Sequence, residues 1–107
     1  MNWNEITTPE QLEEAHNASF STDVLIYKHS TRCSISSAAL SRLVRRWPVE
    51  KAPVPYFIDV IRYREVSNEV ARRYNIEHES PQILLIRNGR CEFTRSHMSI
   101  DPSELAA

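Results

Sequence analysis

The chain has 107 residues, enough for one domain that buries roughly two thirds of its unfolded surface without staples. Lys and Arg number 13 against 14 Asp and Glu, a formal net charge of −1 that speaks against a nucleic-acid-binding surface as the main function. No apolar run approaches the ~20 residues of a membrane span. Two cysteines make no disulfide framework, and Met1-Asn-Trp-Asn-Glu5 shows no signal-peptide pattern, so a cytoplasmic protein is expected.

In chain order, Thr8-Pro-Glu-Gln11 reads as a helix start. Thr8 caps, Pro9 takes the first helical position and Gln11 completes a capping box. Leu12 and Ala15 mark the inner face of a helix ending near Ala18. Asp23 to Lys28 is the first expected strand, with a continuous apolar run, Val24-Leu-Ile-Tyr27, as in a sheet covered on both faces. A polar turn follows, and then a helix from Cys33 to about Arg46. Its expected buried stripe is Ile35, Ala38, Ala39, Leu43, Val44 and Trp47, with Arg42, Arg45 and Arg46 outside it and Pro48 as the stop.

Val54 to Val60 is the second expected strand, and Arg64 to Tyr74 the third helix, with Val66, Val70 and Tyr74 inward. A strand, helix, strand order needs a crossover, so these two strands are expected to be parallel. Gln82–Arg87 and Arg90–Arg95 flank Asn88-Gly89, a strong hairpin signal. Asp101-Pro-Ser-Glu104 opens a helix of about one turn. The order is α-β-α-β-α-β-β-α in a single domain over residues 1–107. With a cysteine at the first strand-to-helix turn and a proline opening the third strand, this is a thioredoxin-like α/β fold, a central four-stranded mixed sheet flanked by helices.

Cys33 is the candidate nucleophile. The first N–H groups of a helix lack intrahelical partners and carry partial positive charge, which favours a thiolate there. Lys28, His29 and Arg32 could add to the effect. The other reading of a free cysteine is a small buried hydrophobe. Ser36 stands where a dithiol motif has its second cysteine, so the motif can support only monothiol exchange. One turn on from Cys33, its hydroxyl either donates to the thiolate or is simply a helix serine. Cys91 is not expected to resolve Cys33. It follows the hairpin turn, five strand residues or roughly 16 Å from Pro81, where a disulfide needs Cα atoms within about 7 Å. Its parity with Phe93 suggests a packed residue. No Cys-x-x-Cys or His-x-x-x-His pattern is present, and no metal site is expected.

Lys28-His-Ser-Thr-Arg-Cys-Ser-Ile-Ser36, Asp59-Val-Ile-Arg62, Ser67-Asn68, His78-Glu-Ser-Pro-Gln82 and Ser96-His97 together resemble the monothiol bacilliredoxin-like proteins, over nearly the whole chain. Ser34 departs from the proline common there. The resemblance implies a thioredoxin-fold oxidoreductase that reduces mixed disulfides between proteins and bacillithiol, its low-molecular-weight thiol co-substrate, with no bound cofactor. It also implies a cis bond between Ser80 and Pro81, with the Ser80 backbone facing Cys33 to pair with an extended substrate. His97, returned by the hairpin to the cysteine end of the sheet, and His29 are candidates for binding a bacillithiol carboxylate or for proton transfer to the leaving thiol. Arg32 and Arg62 are candidate anion contacts. The alternatives are an iron–sulfur carrier, though the Cys-Gly-Phe-Ser motif of monothiol glutaredoxins is absent, and a non-catalytic interaction protein.

Overall fold

The computed structural model describes residues 1–105. Its elements are β1 (Asn4–Glu5), α1 (Pro9–Ala18), β2 (Val24–His29), α2 (Ser34–Arg45), β3 (Val54–Asp59), α3 (Arg64–Tyr74), β4 (Gln82–Arg87) and β5 (Arg90–Ser96). Two 3₁₀ turns close the described chain, His97–Ser99 and Pro102–Leu105. The sheet has five strands rather than four, in the order β1-β3-β2-β4-β5. The added strand is two exposed polar residues paired parallel to Tyr56 and Phe57, with no run or alternation to announce it. It stops short of Pro55, so the residue without an N–H lies on an uncovered edge.

β2 runs parallel to β3 and antiparallel to β4, and β4 pairs antiparallel with β5. Alternation along β2 builds two cores. Val24 and Ile26 join Leu12, Ala15, Val66 and Val70 under α1 and α3. Leu25 and Tyr27 join Ala39 and Leu43 under α2. Thr8 caps α1 by accepting from Gln11 N–H at 3.2 Å. Gln11 reaches back to Thr7 N–H at 2.6 Å rather than to the cap residue itself.

Two expectations about facing are corrected. The buried face of α2 is Ser36, Ala39 and Leu43, with Leu40 and Trp47 at its margin. Ile35 is 50% exposed and Val44 39%. Polar Ser36 takes the inward place because strand and loop groups bind it, so apolarity alone misphased the stripe. On β5, Cys91 pairs with Ile86 but Phe93 with Leu85, which leaves Glu92 as a bulge residue. The bulge breaks the parity, and Cys91 packs on the α1–α3 core while Phe93 packs on the α2 core. The hairpin forms as expected, with Asn88 and Gly89 both at positive φ (53° and 74°).

Candidate active site

β2 ends at His29, and the chain turns through Ser30, with Cys33 N–H donating to Ser30 C=O at 3.2 Å. Cys33 is the N-cap of α2 in extended conformation (φ −114°, ψ 118°), and its C=O accepts from Ser37 N–H at 3.2 Å. The N–H groups of the first helical turn therefore lie next to a partly exposed sulfur. No acidic residue occupies that turn, and no side chain caps it.

Ser36 is fully buried and ties α2 to β2. Its Oγ accepts from Ser30 N–H at 3.1 Å and shares a hydrogen bond with His29 Nδ1 at 2.7 Å. Its C=O accepts from Tyr27 Oη–H at 2.8 Å. Burial pushes the Tyr27 phenol up to about 12, so it stays protonated and donates. His29 is only 7% exposed and packs on Phe57 with ring centroids 5.4 Å apart. Burial lowers its pKa below 6.5, against the opposing pull of Asp59. His29 is thus a neutral, interior imidazole turned to Ser36.

Across the sheet, Lys28 pairs with Gln82, so Pro81 stands beside the end of β2 from which the chain leaves for Cys33. The Ser80–Pro81 bond is cis. Ser80 Oγ is a buried polar atom that has no hydrogen-bond partner among the described residues. β5 returns His97 to this point, where its N–H donates to Pro81 C=O at 3.0 Å. His97 Nε2 lies 3.5 Å from Glu79 Oε2, with the imidazole side chain about half exposed. Arg32 is exposed beside Cys33. Arg62 is exposed over the Tyr63 ring at 5.6 Å, and it lines a cleft of about 690 Å³ between the starts of α1 and α3. None of Cys33, Ser36, Ser80, Pro81 and His97 lines that cleft.

Lys28 does not join this group. Strand alternation turns it to the α3 side, fully buried, where Nζ donates to Ser67 C=O and to His78 Nδ1, each at 3.0 Å. Parity with Val24 and Ile26 was the signal for that placement. Glu79, the partner of His97, carries no local sequence signal for that role, because the contact joins residues distant in the chain. Cys91 Sγ donates to Phe93 C=O at 3.3 Å, and burial pushes its thiol up to about 11. Its strand partner Ile86 faces Val24, five residues or roughly 16 Å down β2 from His29. Among the described residues, no three His, Cys, Asp or Glu side chains gather as a metal site would require. No described helix is long and apolar enough to cross a membrane.

Solved structures share this architecture. A thioredoxin-fold protein proposed to be an oxidoreductase is 29% identical with a TM-score of 0.83, over 96% of this chain and 89% of that one. Thioredoxin of Malassezia sympodialis (19% identity, TM-score 0.73, 97% of this chain and 84% of that one) has the same fold. So does a poplar thioredoxin h mutant (19%, 0.74, 97% and 77%). The model of the monothiol bacilliredoxin BrxC family matches residues 4–105. With a cysteine at a bare helix start and a cis-proline just before β4, the chain belongs to the monothiol bacilliredoxin BrxC family, which supports a thiol redox role in general.

Proposed function

We propose that this protein removes bacillithiol from bacillithiolated protein partners in the cytoplasm by monothiol exchange at Cys33. The observation that carries the reading is a partly exposed cysteine capping α2, with serine at position 36 and the second cysteine, partly buried, at the far end of the sheet with its thiol pushed up to about 11. The Cys33 thiolate attacks the bacillithiol sulfur of the mixed disulfide. The old S–S bond breaks, the partner leaves as a thiolate and takes a proton from solvent, and a Cys33–bacillithiol disulfide forms. A second bacillithiol thiolate attacks that adduct and releases oxidised bacillithiol and free Cys33.

The α2 N–H groups favour the anionic sulfur. Pro81 and Ser80 offer backbone at the mouth of the site for an extended partner. His97 and Arg32 are the groups suited to the carboxylates of bacillithiol, since both are exposed at this end of the sheet. Ser36 acts with Cys33, and His29 acts through Ser36.

Mass spectrometry after incubation with oxidised bacillithiol, and separately with oxidised glutathione, tests the reading. One bacillithiol on Cys33, lost in Cys33→Ser and weaker or missing with glutathione, is expected. An adduct on Cys91, or none on Cys33, would overturn it.

A further inference from the structure

The Ser36 hydroxyl is the centre of a small buried network whose donors and acceptors can be counted. A serine hydroxyl has one proton to give and two lone pairs to share. Ser30 N–H takes one lone pair at 3.1 Å. The contact with His29 Nδ1 at 2.7 Å takes either the proton or the second lone pair, according to which ring nitrogen carries the imidazole hydrogen. If Nδ1 is bare, Ser36 spends its proton on His29 and has nothing for a neighbour. If Nδ1 bears the hydrogen, both lone pairs are occupied and the hydroxyl proton is free. Cys33 is the N-cap of α2, and Ser36 lies three residues on, in the first turn of the helix.

We infer that His29 is a positioning residue which, by the tautomer it adopts, decides whether the Ser36 hydroxyl donates to the Cys33 sulfur. This rests on the exchange reading above. With a thiol at position 33, Ser36 gives its proton to bare Nδ1. When Cys33 ionises, its proton goes to solvent and the ring hydrogen of His29 moves from Nε2 to Nδ1. Ser36 keeps its own hydrogen and turns it to the thiolate. His29 stays neutral throughout, so no buried charge is created.

The surroundings fit a ring held neutral. Phe57 and Tyr27 pack against it, at 5.4 and 6.0 Å between ring centroids. The titratable groups beside it are Tyr27 of its own strand and Asp59, its register partner on β3, with Cys33 four residues on at the cap of α2. Pro81, next in register from β4, is uncharged. Burial favours the neutral ring and outweighs the Asp59 carboxylate. Tyr27 is itself protonated and engaged with Ser36 C=O.

The test is ¹⁵N NMR of the His29 ring in the wild-type protein while the pH is carried through the Cys33 ionisation, followed in parallel at the Cys33 Cβ. The inference expects Nδ1 to change from bare to hydrogen-bearing with the same midpoint as the sulfur. In Ser36→Ala the His29 tautomer should no longer follow Cys33, and the thiolate fraction at neutral pH should fall by on the order of tenfold, the worth of one hydrogen bond to a charged group. His29→Phe leaves the Ser36 proton free in both states, so the fraction should not fall below the wild-type level, and His29→Phe/Ser36→Ala should match Ser36→Ala. A His29 tautomer that ignores Cys33 ionisation in the wild type would overturn the inference. No disulfide substrate is needed, so a bacillithiol adduct on Cys33 beside an indifferent His29 defeats this inference alone. A responsive His29 in a protein that forms no adduct defeats only the exchange reading.

Discussion

Lys28 places a buried ammonium against α3 with no carboxylate among its hydrogen-bond partners. Desolvation lowers its pKa from 10.5 to about 8. Below about pH 8 the lysine is charged in both folded and unfolded chains, and the folded state bears the full cost. Between about 8 and 10.5 the folded lysine has lost its proton while the unfolded one keeps it, so stability rises with pH across that window. At about 1.4 kcal/mol per tenfold change in proton affinity, the cost at pH 7 is about 3 kcal/mol.

Lys28→Met preserves the length of the side chain and removes the charge. Ser67 C=O keeps its helical donor, and exposed His78 turns to water. The two lost hydrogen bonds cost about 1 kcal/mol each, so a net gain of about 1 kcal/mol at pH 7 is expected. Urea unfolding of both proteins from pH 7 to 10.5 reads this. The wild type should approach and then overtake the variant as pH rises. Tyr27 and Tyr74 at about 12 and Cys91 at about 11 act in the opposite sense in both proteins, so the difference at each pH is the quantity of interest. A variant less stable by several kcal/mol at pH 7, with a pH-independent difference, would refute the reasoning.

Cys91→Ser should leave exchange at Cys33 unchanged and cost about 1 kcal/mol of stability, measured by disulfide-exchange kinetics and urea unfolding. A dead enzyme would mean the two sulfurs communicate. Deletion of Glu92 restores a one-to-one ladder with Cys91 still against Ile86 and Phe93 against Leu85. It should lower Tm by no more than about 5 °C, worth about 1 kcal/mol in a chain of this size, and an unfolded variant would show that the bulge's twist is required. Gly89→Ala meets a φ of +74° and puts a Cβ 2.6 Å from Phe20 Cζ. It should destabilise by about 1–2 kcal/mol in thermal unfolding, and no loss would mean the turn can change type.

Much of the frame was legible from short-range signals. The cap at Thr8, the bounds of α3, the Asn88-Gly89 turn and the start of α2 at Cys33 each depend on residues within one turn of each other. The sheet's parallel and antiparallel pairings followed from connection lengths. The cis bond at Ser80–Pro81 rested on resemblance rather than on anything local. Tertiary structure alone decided where the chemistry points. β1 exists because Asn4 and Glu5 meet Tyr56 and Phe57. Glu92 bulges because the two cores draw Cys91 and Phe93 to opposite faces. Ser36 faces inward, and Ile35 outward, because His29 and Ser30 wait on the strand side with hydrogen bonds that an apolar side chain could not make. Local pattern sets which element forms, but the direction of a polar side chain is chosen by partners that only folding brings near.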